Sequence, residues 1–89
     1  MSGVVQVDGQ QYTWRATTLR GYEPTLKNIL IKSAAKATLD VRVWQKNCEV
    51  VTPDITESLV RSALNSGWDP TTPNRLQIGV KEATIILPK

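Results

Sequence analysis

The chain has 89 residues, with 11 Lys and Arg against 8 Asp and Glu, a formal charge of +3, no histidine and one cysteine. That length predicts a single small domain over residues 1–89 with one core, and fractions of 40% hydrophobic and 21% charged fit a globular chain rather than a disordered or fibrous one. Without histidine, neither a Ser-His-Asp nor a Cys-His arrangement can form within the chain, and zinc loses its commonest ligands.

The lone Cys48 excludes an internal disulfide and points to a reducing compartment. Its neighbours Lys46, Asn47 and Glu49 predict a polar connector in which it sits partly exposed and inert. Glycines occur singly, so no phosphate-binding loop is expected, and no two carboxylates have the spacing of a shared catalytic task. No stretch approaches the roughly 20 apolar residues of a membrane span. The start has no charged lead into an apolar signal core, and it lacks the glycine after methionine that myristoylation needs. These features predict a soluble, cytoplasmic, non-catalytic protein with no cofactor, no metal and no membrane partner.

In chain order, Val4 to Leu19 reads as a β-hairpin around Asp8-Gly9, a strong signal for a two-residue turn. With those two residues in the loop, Val7 faces Gln10, Val5 faces Tyr12 and Gly3 faces Trp14. Val5, Val7, Tyr12 and Trp14 then share a core face, while Val4, Gln6, Thr13, Arg15 and Thr17 share a mostly polar one. Arg20 to Pro24 is a connector. Leu26 to Trp44 fits two templates. Leu26, Ile29, Leu30, Ala34 and Ala37 match a helix, whereas Leu26–Lys32 and Ala37–Gln45 match two strands with Leu39, Val41 and Val43 inward. The β-branched Ile29 and Ile31 favour the strands.

Val50 to Pro70 carries a helix with both ends written in. Thr52 is the N-cap, Pro53 the first helical residue, and Asp54 and Glu57 place negative charge in the first turn. Ile55, Leu59, Val60, Ala63 and Leu64 form the apolar stripe, with Arg61 four residues from Glu57. Gly67 is the left-handed stop, and Trp68 after it is expected to plug the helix end near Ala63. Thr71 to Asn74 forms a turn, and Arg75 to Val80 a strand. The parity break before Ile85 and Leu87 predicts a bulge or bend near Lys81-Glu82. The sum is an α+β fold, a mainly antiparallel sheet of about four or five strands with one helix, about Pro53–Ser66, packed on one face.

The strand Tyr12-Thr13-Trp14-Arg15, the Val51-Thr52-Pro53 start and the Gly67-Trp68-Asp69-Pro70 ending resemble a group of short bacterial proteins with no assigned function. That group has a Y-x-W-R strand, a β-rich middle and an I/V-T-P…A-L…G-W-x-P ending. The resemblance implies strands over Leu26–Lys32 and a bacterial cytosolic setting, and it implies no chemistry. This chain extends further past the ending and has a shorter middle connector.

For function, the uncovered sheet face is the expected working surface. Arg42 and Trp44, with Asp40, point outward from the strand Ala37–Gln45, and Arg15 points outward from the hairpin. Arg and Trp are enriched at binding hot spots, so Arg15, Arg42 and Trp44 are the candidate contacts for an unknown protein partner or a second copy of the chain. Trp44 packed under a loop is the competing reading. The alternative function is RNA or single-strand binding through a basic face, because Arg15, Arg20, Lys27, Lys32, Lys36, Arg42 and Lys46 outnumber Asp8, Glu23 and Asp40 in the N-terminal half. An enzyme or small-ligand protein would need a deep pocket of converging polar groups.

Overall fold

Asp8 and Gly9 turn the chain back on itself with φ of 52° and 81°, the left-handed pair that a two-residue hairpin loop requires. The computed structural model describes residues 1–21 and 25–86; Pro24 of the predicted connector and the predicted strand position Leu87 lie outside them. The hairpin joins β1 (Ser2–Val7) to β2 (Gln10–Leu19) in the expected register, with Val7 opposite Gln10, Val5 opposite Tyr12 and Gly3 opposite Trp14. Alternation then sorts the faces. Val5, Val7, Tyr12, Trp14 and Ala16 are buried, and Val4, Gln6, Thr13, Arg15 and Thr17 are exposed.

The ambiguous middle segment forms β3 (Leu26–Ser33) and β4 (Thr38–Trp44), both antiparallel to their predecessors. Ile29 and Ile31 are fully buried while Leu30 between them is half-buried, a period of two that no helix produces. Leu39, Val41 and Val43 face the same core. β5 (Arg75–Ile78) completes the sheet in the order β1-β2-β3-β4-β5, parallel to β4. A parallel neighbour needs a crossover, here a 3-10 turn (Gln45–Asn47) followed by helix α1 (Pro53–Asn65).

α1 begins and ends as its sequence directs. The Ile55 N–H donates to Thr52 Oγ1 at 3.3 Å, and Pro53 occupies the first turn. At the other end Gly67 has φ 99°, its N–H donates to the Leu64 carbonyl, and the Trp68 N–H donates to the Ala63 carbonyl at 3.0 Å. This is a Schellman closure. Trp68 is buried with its ring 6.0 Å from that of Tyr12, so it plugs the helix end as expected. Arg61 reaches Glu57, and also Asp8 across the hairpin turn at 3.1 Å.

Two expectations need correction. Among the described residues neither a bulge nor a further strand follows β5: Val80–Ile86 forms a second helix, α2, so the sheet carries two helices rather than one. The parity break marks a helical period instead: Val80, Ala83 and Ile86, three residues apart, are the covered positions, and Ile85 is 85% exposed. Both helices lie on one face, α1 against β1 and α2 against β4, and they touch each other. Cys48 is also not in a polar, partly exposed connector. It is buried with Val51 in the main core, because the segment after the 3-10 turn dips inward before α1 starts. Burial pushes its thiol pKa up, opposed by the nearby Lys27 charge.

Gly3 shows how tightly the hairpin packs. A Cβ at this position would lie 2.9 Å from Nε1 of Trp14 on the facing strand, and that indole is held in the core. Gly3→Ala is therefore expected to cost about 1–3 kcal/mol of stability, read as a lower urea midpoint at unchanged slope.

Candidate functional site: the open sheet face

Helices cover one side of the sheet, so the alternate residues of every strand are left on the other. The register sets them in rows: Arg15, Leu30, Asp40 and Gln77 in one, Thr13, Lys32, Thr38 and Arg75 in the next, and Thr17, Asn28 and Arg42 on the other side of the first. Arg15, Lys32, Arg42 and Arg75 are all exposed. At about 4.8 Å between strands, they spread over roughly 15 Å from β2 to β5. Asp40 is the one carboxylate that the described strand residues place on this face, so the face carries as much positive excess as the whole chain's formal +3.

Asp40 is not the outward contact that alternation alone suggested, because its neighbours cover it. Its side chain is only 7% exposed. Asn28 Nδ2 donates to Oδ1 at 2.5 Å and also to the Val41 carbonyl, while Arg75 pairs with Oδ2 at 2.5 Å. Burial alone would raise the pKa of this carboxyl. The Asn28 and Arg75 hydrogen bonds, with the charges of Arg75 and Arg42, outweigh it and hold the group below its ordinary value. The carboxylate thus anchors the centre of the face and offsets one of the four cations, its partner Arg75, which remains 58% exposed.

Of the residues the sequence singled out, Arg15 and Arg42 stand exposed on this face. Trp44 is half-buried at one end of it, directly opposite Leu26, which is buried. A shallow depression of about 290 Å³ between β2 and β3 is lined by Thr13, Arg15, Leu30 and Lys32. A second, of about 360 Å³, lies between Arg42, Asp40 and Gln77. Lys27, counted with the basic excess, belongs to the opposite face. It is buried and donates from Nζ to the Glu49 carbonyl, tying β3 to the segment before α1. Sequence reasoning missed Lys32 and Arg75 as members of the face. Lys32 was recoverable from its alternation with Ile29 and Ile31, whereas Arg75 was not, because nothing local says that β5 pairs with β4.

Comparison of the chain with protein-family models, with curated proteins and with solved structures gave no match. Among the described residues no cluster of acidic and cysteine side chains suits a metal ion, and no helix is long and apolar enough to cross a membrane.

Proposed function

We propose that the chain is a small non-catalytic binding module that works through protein–protein contact, with the open sheet face receiving an acidic partner surface. One observation carries this reading: Arg15, Lys32, Arg42 and Arg75 are exposed together on the uncovered face, while its one described carboxylate is covered by Asn28 and paired with Arg75. Exposed Arg side chains on a flat, polar face steer and orient an acidic partner more than they bind a small ligand, and both depressions on the face are shallow. The absence of histidine from the sequence and the buried, pKa-raised thiol of Cys48 support a non-catalytic role. A lone cysteine outside any disulfide also supports a cytoplasmic setting.

The second reading is RNA or single-strand binding, favoured by the spread of the cations across four strands, a path along which a phosphate chain can run. The aromatic content of the face speaks against it. Trp44, half-buried at one end, is the aromatic that the described strands offer there, whereas sheet-face recognition of single strands relies on two or three stacked bases.

Fluorescence polarisation with a labelled Asp/Glu-rich peptide and a labelled single-stranded oligonucleotide separates the two. The peptide is expected to bind at low salt, and Arg15→Ala and Arg42→Ala are each expected to weaken it by about 3- to 10-fold with unchanged circular dichroism. Tighter, salt-sensitive binding of the oligonucleotide, lost in the same variants, would transfer the assignment to nucleic acid. Equal binding of either probe by wild type and variants would remove the face from consideration.

A further inference from the structure

The sheet has two edges, and they are built differently. β5 is four residues long, runs parallel to its neighbour and carries the charged Arg75. β1 is six residues long, Ser-Gly-Val-Val-Gln-Val, without a charge, a proline or an irregularity in its register against β2. Natural edge strands are usually guarded by such devices, because an open row of N–H and C=O groups is a template for another strand. β1 has none of them.

The ladder identifies which groups are open. The Ala16 N–H donates to the Met1 carbonyl, which makes Met1 and Ala16 a hydrogen-bonded pair. Alternation then places Gly3, Val5 and Val7 in hydrogen-bonded pairs with β2, and turns the N–H and C=O of Ser2, Val4 and Gln6 outward. The same three residues have exposed side chains, and Val4, at 54%, is one of the few exposed large hydrophobics described. Helix α1 packs against β1 from the core face, and no described hydrogen bond from elsewhere in the chain occupies the outward groups of β1.

We propose that β1 pairs with β1 of a second copy of this chain, antiparallel about a two-fold axis through Val4, to form a continuous ten-stranded sheet. The choice of a second copy rests on the strand's own symmetry. Centring on Val4 places Val4 against Val4 and Ser2 against Gln6, so every outward N–H meets an outward C=O and the exposed valines cover each other. The contact is isologous and closes. A β1-to-β5 contact would instead propagate, and it would set a six-residue neutral strand on a shorter, charged one. A two-fold axis normal to the sheet leaves both open faces on the same side, so the dimer presents the basic face twice, as one surface. The side-chain cations nearest the axis belong to β2 and beyond, so the paired strands bring no charged side chain together and the repulsion between two +3 chains acts at longer range.

Sedimentation equilibrium and light scattering across a micromolar concentration range test the pairing. Wild type is expected to run at twice the 9.9 kDa chain mass, and more completely so at higher salt, the reverse of the salt response of the basic face. Val4→Pro removes an N–H that the β1–β2 ladder does not use, at an edge position that tolerates proline, and so abolishes the dimer while the monomer keeps its circular dichroism. Val4→Lys retains that N–H but sets two like charges together at the axis, and is expected to raise the dimer Kd more than about tenfold. A wild-type monomer throughout the range, or a dimer untouched by both substitutions, would overturn the proposal. The result is independent of whether the open face binds an acidic partner.

Discussion

Trp68→Ala is expected to lower the unfolding free energy by about 3 kcal/mol, the largest loss of any single substitution considered, with the urea midpoint as the readout. The indole is 6% exposed, closes the last turn of α1 and lies against Tyr12, so its removal opens a cavity where helix and sheet meet. Truncations of this kind reach about 5 kcal/mol. The lower figure applies because Nε1 of Trp68 is buried with no hydrogen-bond partner, and losing an unsatisfied donor recovers part of the cost. Trp68→Phe follows the same logic: it keeps most of the contact area, sheds the unsatisfied N–H, and is expected to cost about 1 kcal/mol. A small domain has about 5–15 kcal/mol in total, so Trp68→Ala should leave a folded but fragile protein. A loss below about 1 kcal/mol would mean that Trp68 does not close the core.

Asp40→Ala is expected to cost about 2 kcal/mol. The ion pair with the largely exposed Arg75 is screened and supplies the smaller share. The larger share comes from the part-buried Asn28 amide, which keeps its bond to the Val41 carbonyl but loses the carboxylate. The same interactions fix the pH dependence. Because the folded pKa lies below the ordinary 3.8, the stabilisation from Asp40 is fully present above that value and is lost as pH falls through the folded one. Wild type should therefore lose stability on acidification below pH 3.8 more steeply than Asp40→Asn, whose midpoint lacks this component. Coincident pH profiles would show that the carboxylate is not engaged as the geometry indicates. The site should respond in the opposite sense to the fold: Asp40→Asn makes the face more positive by one charge and should tighten binding of the acidic peptide.

The hairpin and α1 were legible because their signals are local. Asp8-Gly9 fixes a register that alternation then propagates, and Thr52-Pro53 with Gly67-Trp68 marks a helix by capping chemistry that needs no tertiary context. β3 was legible only in part, since Leu26, Ile29 and Leu30 satisfy a helical period while Ile29 and Ile31 satisfy a strand. Pairing on both sides decides it in favour of the strand. α2 was missed because seven residues hold barely two turns, too few for a period of 3.6 to stand out from a strand with a defect. Cys48 misled for a related reason. Its polar sequence neighbours describe the connector, not the direction in which the connector turns.

The candidate face was half legible for the same cause. Arg15 and Arg42 follow from alternation within their own strands. The burial of Asp40 does not, because it depends on Asn28 from β3 and Arg75 from β5 converging on one carboxylate. Strand order is long-range information, and with it comes the distinction between a charge that faces solvent and one that is held. Lys27 and Lys32 illustrate the point. They belong to the same strand, five residues apart, yet one is buried against the segment before α1 and the other lies on the open face.

That the open face receives an acidic partner is tested most directly by titrating 15N-labelled protein with the acidic peptide and following amide and arginine side-chain resonances. Shifts are expected to concentrate at Thr13, Arg15, Lys32, Arg42 and Arg75, with the exposed residues of α1 and α2 unmoved. Shifts that map to the helices and leave those five positions silent would rule that role out.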